Sequence, residues 1–529
     1  MSKILFFGLK NWAVHRYWEC CLAKHLELNE HEVKYYSYNK MFGGDDLNSH
    51  RKYEHIHKHI ASKTGEQIPG MFRLNTVVPV EDYFTQVDLQ NAEAILGLSE
   101  QRELESLEYK GINLGAACRI STVRQSHTID RASKEYQDFF VENVSTSIYM
   151  IDAFERILTD EKPDVVFVMN GIMFLENIII QLCKRLGIRV VSYERAARPD
   201  HLYITANGPV NDFMFDNRFD INKELSDIEL KEIKEYLHDR RTSKNTTQKF
   251  QDSDTDDLEK TKKAVNFESI KDKEIISLFT NVMWDTAAVD RDTIFKDVLD
   301  WCIKTIEWAK NQEDVELFIR IHPADARYWN FSGAKQLQDE ILKHYIDKDE
   351  KYSKESLDST SFLPSNVHLI KSTTKLNSYC LAELSDVVST YTSQIGVELA
   401  AMGKPVIVAG DAFYGKQGIG IMPKDQDDYF DYLECGVDCI DFVNKDEALR
   451  FAHFLYFKMH YPFRLITEDA SKGMGVVTDF GFIKDLEDGR RIIDFDVIKN
   501  DVDLQNISSY LLEGIKGEFD DLQIAEVKV

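Results

Sequence analysis

Residues 387–409 hold two short apolar runs, Val387-Val388-Ser389 and Val406-Ile407-Val408-Ala409, separated by one helix-forming stretch. A chain that passes from one buried run through a single helix to the next lays the two strands side by side in parallel, with the helix as crossover. Thr392 or Ser393 stands where a hydroxyl caps the helix N-terminus. Gly403 stands where a helix C-terminal glycine belongs, and Pro405 prevents continuation. Parallel strands are covered on both faces, so this unit commits the chain to an α/β fold. The helix start also offers free backbone N–H groups and a positive dipole end, a seat for phosphate. Glu398 lies about two turns in, within reach of a ribose diol; its other reading is an exposed helix acid.

The same alternation recurs along the chain. Residues 3–8, 12–28 and 31–38 read as strand, amphipathic helix and strand. Residues 40–130 are polar and carry no clear period, while 133–160 read as helix. Residues 164–169, 173–186 and 188–193 repeat the unit, with Asn170-Gly171 as a turn. Residues 239–263 are almost wholly polar, which marks 239–270 as an interdomain linker or mobile excursion. Strands then follow at 274–280, 315–321, 367–370 and 387–389, with helices at 291–310, 335–346, 376–384, 445–460 and 503–516. The expected division is a first Rossmann-like domain over 1–238, the linker, a second over 271–484, and a helical tail over 485–529.

At 529 residues the chain can bury two cores, and 43% hydrophobic residues is the composition of a globular protein. A net charge of −26 argues against nucleic-acid binding. The eight cysteines include no Cys-x-x-Cys pair, so reduced thiols are expected, with no disulfide scaffold or zinc site. No apolar run approaches the roughly 20 residues of a membrane span, and none has the form of a signal peptide. These features predict a cytoplasmic protein, with at most peripheral contact at the inner face of the membrane.

In open parallel sheets, ligands sit beyond the carboxyl ends of the strands, and the informative polar residues fall there. Arg320 and His322, two apart on a strand, point to one side, and Pro323 ends the strand. A guanidinium and an imidazole on one face suit a diphosphate; the alternative is an arginine paired with a local acid and a histidine filling a turn. Asn281, Trp284 and Asp285 could line one pocket, or Asp285 could cap a helix with Trp284 in the core. Glu194 is placed as a base or nucleophile, or as a salt-bridge partner of Arg195 or Arg198. His55, His57 and His59 lack an acid or cysteine to complete a metal site and read as a solvated helix face. Asp252 to Asp257 lacks the glycine and terminal glutamate of an EF-hand loop. There is no P-loop and no nucleophile elbow.

In order along the chain stand Phe279-Thr-Asn-Val-Met-Trp-Asp285, Arg320-Ile-His-Pro-Ala324, Lys375-Leu-Asn-Ser-Tyr379, Tyr391-Thr-Ser-Gln-Ile-Gly-Val-Glu398, Gly403-Lys-Pro-Val406 and Tyr414-Gly-Lys416. Together they resemble the bacterial capsule polysaccharide biosynthesis proteins, glycosyltransferases of GT-B fold related to the Kdo transferases of capsule assembly. The resemblance covers roughly 160–430 and is strongest after 275. It implies two doubly wound domains facing across a cleft, with C-terminal helices packing back. It implies metal-independent transfer from a nucleotide sugar to a surface glycan or lipid-linked glycan, with no cofactor. By position it implies phosphate contacts from Arg320, His322, Thr392 and Ser393, and a ribose contact from Glu398. Asn281, Asp285, Asn377 and Gly396 would belong to the donor site and His322 to the catalytic machinery; Glu194 is expected as its catalytic partner from its place at a strand end, not from a match to the family's motifs. Rival readings are a sugar-nucleotide epimerase, a teichoic-acid type glycerophosphotransferase and a non-catalytic nucleotide-sugar-binding scaffold.

Overall fold

The computed structural model describes residues 1–9, 13–38, 67–98, 101–210, 220, 222–244, 246–247, 255–328, 336–346, 362–435, 444–468, 477–487 and 491–513. Two large sheets organise them. The first has seven strands, in the order His460–Pro462, His201–Ala206, Arg189–Arg195, Val165–Met169, Lys3–Gly8, Glu32–Ser37, Val77–Pro79. From Arg189–Arg195 to Val77–Pro79 the pairings are parallel, whereas His201–Ala206 runs antiparallel to both of its neighbours. The second has five strands, all parallel, in the order Val367–Ile370, Val315–Arg320, Glu274–Phe279, Val387–Thr390, Val406–Val408.

Each sheet is covered on both faces, as its near-continuous apolar strands require. In Lys3–Gly8 the alternation splits the side chains. Leu5 and Phe7 join a core with helix Lys134–Glu161, while Ile4 and Phe6 join one with helix Ala13–Leu28. In Glu274–Phe279, Ile276 and Leu278 face the core of helix Val298–Ala309, and Ile275 and Phe279 the opposite one. Each sheet also has a point where successive crossovers diverge. In the first it lies between Lys3–Gly8 and Val165–Met169, and in the second between Glu274–Phe279 and Val387–Thr390. Such points open a crevice at the strand ends.

Several expectations need correction. Strand His201–Ala206 was not foreseen. The expected helix over 445–460 ends at His453, passes through a π-turn over Phe454–Lys458 and emerges as strand His460–Pro462 on the edge of the first sheet. The stretch 239–270 is no simple linker. Helix Asp227–Arg241 runs into it, Arg241 pairs with Asp256 and Glu383, and helix Leu258–Ala264 contacts helix Ser378–Leu384. Residues 252–254, and all of His55, His57 and His59, lie outside the described residues. Cys20, Cys21, Cys118, Cys183, Cys302 and Cys380 are free thiols, but Cys435 is disulfide-bonded, against the expectation of uniformly reduced cysteines. In the tail, helices Phe495–Asn500 and Val502–Leu512 pack on helix Ala13–Leu28. Among the described residues no helix is long and apolar enough to cross a membrane.

Candidate active site

The carboxyl ends of both sheets open onto one cleft of about 550 Å³. Asn170, Glu194 and Tyr203 reach it from the first sheet. Thr280, Asn281, Arg320, His322, Thr392 and Ser393 reach it from the second. The loop after Glu274–Phe279 ties the two sides together. Trp284 and Val289 are buried in the core of the first sheet, and Trp284 stands edge-on to His127. Asp290 pairs with Arg119 at 3.0 Å, while Asn281 and Asp285 from the same loop line the cleft. The alternative of a core tryptophan therefore holds, and Asp285 caps no helix; helix Val298–Ala309 is capped by Asp297.

Asn281 and Thr392 meet at the second sheet's crossover divergence, where Asn281 Oδ1 accepts from Thr392 N at 3.1 Å. Arg320 is 3% exposed. Its guanidinium donates to the carbonyls of Lys371 (2.8 Å) and Leu376 (3.2 Å) and to Ser378 Oγ (3.4 Å). All three acceptors are neutral, and among the described residues no carboxylate lies within ion-pair distance. Burial pushes its pKa down to about 10. The alternative of a paired local acid is therefore not realised there, whereas three of the four other arginines of the cleft have one: Arg195 pairs with Glu468, Arg240 with Glu398 and Arg291 with Asp411. His322 Nδ1 accepts from Ala324 N at 3.1 Å, and the backbone N–H of His322 donates to Thr280 Oγ1. A backbone N–H can only donate, so Nδ1 is unprotonated and the ring proton of the neutral imidazole sits on Nε2.

On the opposite wall, Glu194 is held from two elements. Its Oε2 accepts from Asn170 Nδ2 (3.1 Å) and its Oε1 from Arg195 N (2.7 Å). The alternative of a salt bridge with Arg195 or Arg198 is not realised, because Arg195 turns to Glu468 and Arg198 packs over Phe457. Asn170 and Glu194 fall together because Val165–Met169 and Arg189–Arg195 are parallel neighbours whose register pairs Met169 with Tyr193, so the next residue of each stands side by side.

Other expected site residues take different parts. Neither Thr392 nor Ser393 caps the next helix. Helix Ile395–Ala401 starts after Gln394, which makes no side-chain cap bond. Thr392 Oγ1 donates to the carbonyl of Ala287, and the Ser393 carbonyl accepts from Tyr414 Oη. Gly396 does not line the cleft. It backs onto Tyr414, whose hydroxyl would lie 2.3 Å from an added Cβ. Asn377 is fully buried away from the cleft. It caps helix Ser378–Leu384 by accepting from Tyr379 N and Cys380 N, and it donates to the Arg241 carbonyl. Glu398 reaches the cleft wall, but its carboxylate is occupied. Arg240 Nε lies 2.6 Å away, and the hydroxyls of Tyr379 and Tyr456 donate to it. It is neither an exposed acid nor a carboxylate open to a sugar diol. Arg240 and Tyr456 carried no sequence signal, since each becomes relevant only through long-range packing.

No family model matches the chain, and no curated protein matches it. Among solved structures it is similar to the Thermosulfurimonas dismutans KpsC beta Kdo 2,7 transferase. There the identity is 17% over 67% of this chain and 89% of that one, with a TM-score of 0.32. The beta Kdo 2,4 transferase of the same KpsC follows at 14%, covering 60% and 85%, with a TM-score of 0.34. A putative UDP-N-acetylglucosamine 2-epimerase from Listeria monocytogenes is 13% identical over 86% of this chain and 92% of that one, with a TM-score of 0.27. Likeness this loose assigns neither activity.

Proposed function

We propose that the chain is a metal-independent glycosyltransferase of GT-B type, moving a sugar from a nucleotide sugar to a surface glycan or related acceptor. One observation carries the reading: Arg320 is a buried cation at a strand end with only neutral partners. A buried charge without a counter-charge is costly, and an anion in the adjoining cleft offsets that cost. The diphosphate of a nucleotide sugar is such an anion, and His322 adds a neutral Nε2–H donor beside it.

In the transfer, an acceptor hydroxyl oxygen bonds to the anomeric carbon while the bond from that carbon to the phosphate oxygen breaks. The electron pair stays on the leaving phosphate, where Arg320 and His322 stabilise the growing charge, a preorganised electrostatic effect. The hydroxyl proton passes to Glu194, which lies on the opposite wall with 29% of its side chain exposed. Thr392 and Asn281 hold the phosphate-facing loop in shape, and Asp285 faces the donor.

A thermal-shift screen against nucleotide sugars, followed by product analysis, tests this. A true donor at 100 times its Kd adds about 2.7 kcal/mol to the folded state. Conversion of that donor to an isomer without an acceptor would establish an epimerase instead, and transfer from CDP-glycerol a glycerophosphotransferase. Binding without turnover for every donor would leave a scaffold. In the transferase, His322→Ala lowers turnover by about 10²–10³; unchanged turnover in the folded variant removes His322 from the mechanism.

A further inference from the structure

On the second-sheet wall, just ahead of helix Ile395–Ala401, stands a side chain that the transfer described above does not employ. Gln394 lines the cleft and makes no side-chain bond to that helix. We propose that Gln394 is a specificity residue of the donor site: its carbonyl Oε1 accepts a hydrogen bond from a hydroxyl of the nucleotide sugar. The proposal rests on the nucleotide-sugar reading of the cleft.

A chain of hydrogen bonds fixes which end of the amide is offered. At its buried end is Glu398, with Arg240 Nε at 2.6 Å from Oε1. A carboxylate beside a guanidinium accepts and does not donate. Tyr456 Oη lies 2.7 Å from the same Oε1, so its single proton is committed there, while the Tyr379 hydroxyl donates to Oε2. A phenol oxygen whose proton is committed can only accept from its next neighbour. That neighbour is the Gln394 amide at 3.0 Å, so the atom turned to Tyr456 is Nε2. Oε1 therefore points away from Tyr456, and among the described residues nothing donates to it. The backbone on either side is held as well. The Ser393 carbonyl accepts from Tyr414 Oη at 3.0 Å, and the Gln394 carbonyl from Val397 N at 3.1 Å. A glutamine on open surface can turn either end of its amide to solvent; here Tyr456, fully buried between Tyr236 and His460, leaves one choice.

The same network runs back to the phosphate seat. Arg320 Nε donates to Ser378 Oγ at 3.4 Å; the next residue, Tyr379, donates to Glu398, and Tyr456 and Gln394 follow. Ile395 and Leu455, the chain neighbours of Gln394 and Tyr456, line the cleft too, as does Phe413. An acceptor set among apolar neighbours discriminates well, because a ligand without the matching donor leaves it dry and unpaired. Glu398 cannot take this part, since its carboxylate is occupied. In a nucleotide sugar, hydroxyl groups flank the phosphates on both sides, on the ribose and on the transferred sugar, and either presents the O–H that Oε1 accepts.

Titration calorimetry with CMP, UDP, GDP and ADP, each beside its 2′-deoxy and 3′-deoxy counterpart, tests the ribose as the source. The parent should bind one ribonucleotide about three- to tenfold more tightly than a deoxy form. Gln394→Met keeps the side-chain length and removes the carbonyl, and should bring that ratio close to one. Tyr456→Phe leaves Gln394 in place but frees its amide to turn, and should lower the ratio as well. Where the parent binds ribo- and deoxynucleotides alike, the hydroxyl belongs to the transferred sugar. In that case the nucleotide sugar found in the donor screen should lose a similar factor, relative to its free nucleotide, in Gln394→Met. Each ratio compares two ligands on one protein, so a general loosening of the cleft cancels. Folded Gln394→Met protein in which neither ratio moves would overturn the proposal. A ratio lost on mutation in a chain that binds nucleotides but transfers no sugar removes the transferase and keeps Gln394 as the reader. Failure of every nucleotide and nucleotide sugar to bind the parent removes both.

Discussion

A carboxyl group that folds into a low-dielectric pocket without a cation holds its proton, and Asp325 does so one turn beyond His322. It is 2% exposed, and its Oδ2 accepts from Leu337 N at 3.2 Å. Burial raises its pKa from 3.8 to about 7. The folded value exceeds the unfolded one, so ionisation favours the unfolded chain. The resulting loss of stability is absent below about pH 3.8, grows as the pH rises, and is complete above about pH 7. Its upper bound is about 4 kcal/mol. Asp325→Asn should therefore gain stability over the parent at pH 8 and gain little at pH 4.5, a difference readable in denaturant midpoints at the two pH values. Arg320 and Asp325 thus carry opposite burdens next to one cleft: one is charged among neutral partners, and the other keeps its proton below about pH 7.

At the level of single elements, the capping residues decide what the polar side chains can do. Asn377 satisfies two backbone N–H groups of helix Ser378–Leu384 and also the Arg241 carbonyl. Asn377→Ala should cost about 1–2 kcal/mol in a denaturant melt while leaving nucleotide-sugar affinity unchanged, since the residue does not line the cleft. The strands and helices that form this cleft were legible because their signals are local: apolar runs of four to six residues, Gly and Pro at helix ends, and polar residues just past strand ends. Arg320, His322, Asn281, Thr392 and Glu194 could be assigned to the cleft on that basis alone. Asn377 and Gly396 could not be excluded from it, because a cap or a tyrosine contact is invisible until the backbone path is known. Glu398 was misjudged for a related reason. Its partner Arg240 lies on a helix that looked in sequence like the start of a polar linker. Strand His460–Pro462 escaped because it has three residues and follows a helical period without a break.

For the molecule as a whole, the tail matters as much as the strands. Ile498, Leu504, Ile507 and Leu511 share a core with Cys21, Leu22 and Leu26 of helix Ala13–Leu28. Ile507→Ala should cost about 2–4 kcal/mol. Hydrogen exchange would locate the effect: the amides of helix Ala13–Leu28 should open faster, and those of Glu274–Phe279 and Val315–Arg320 should not. The strand order carries a further consequence for how the chain is made. His460–Pro462 joins the first sheet about 250 residues after its neighbour His201–Ala206, and the whole five-stranded sheet is synthesised in between. At about 5–20 residues per second, a ribosome takes on the order of tens of seconds to cover that distance. Throughout that interval the nascent first half has a bare edge at His201–Ala206 and an uncovered helix Ala13–Leu28. The protein therefore ripens from its interior outward in sequence, and an early-terminated chain keeps a sticky, unfinished face.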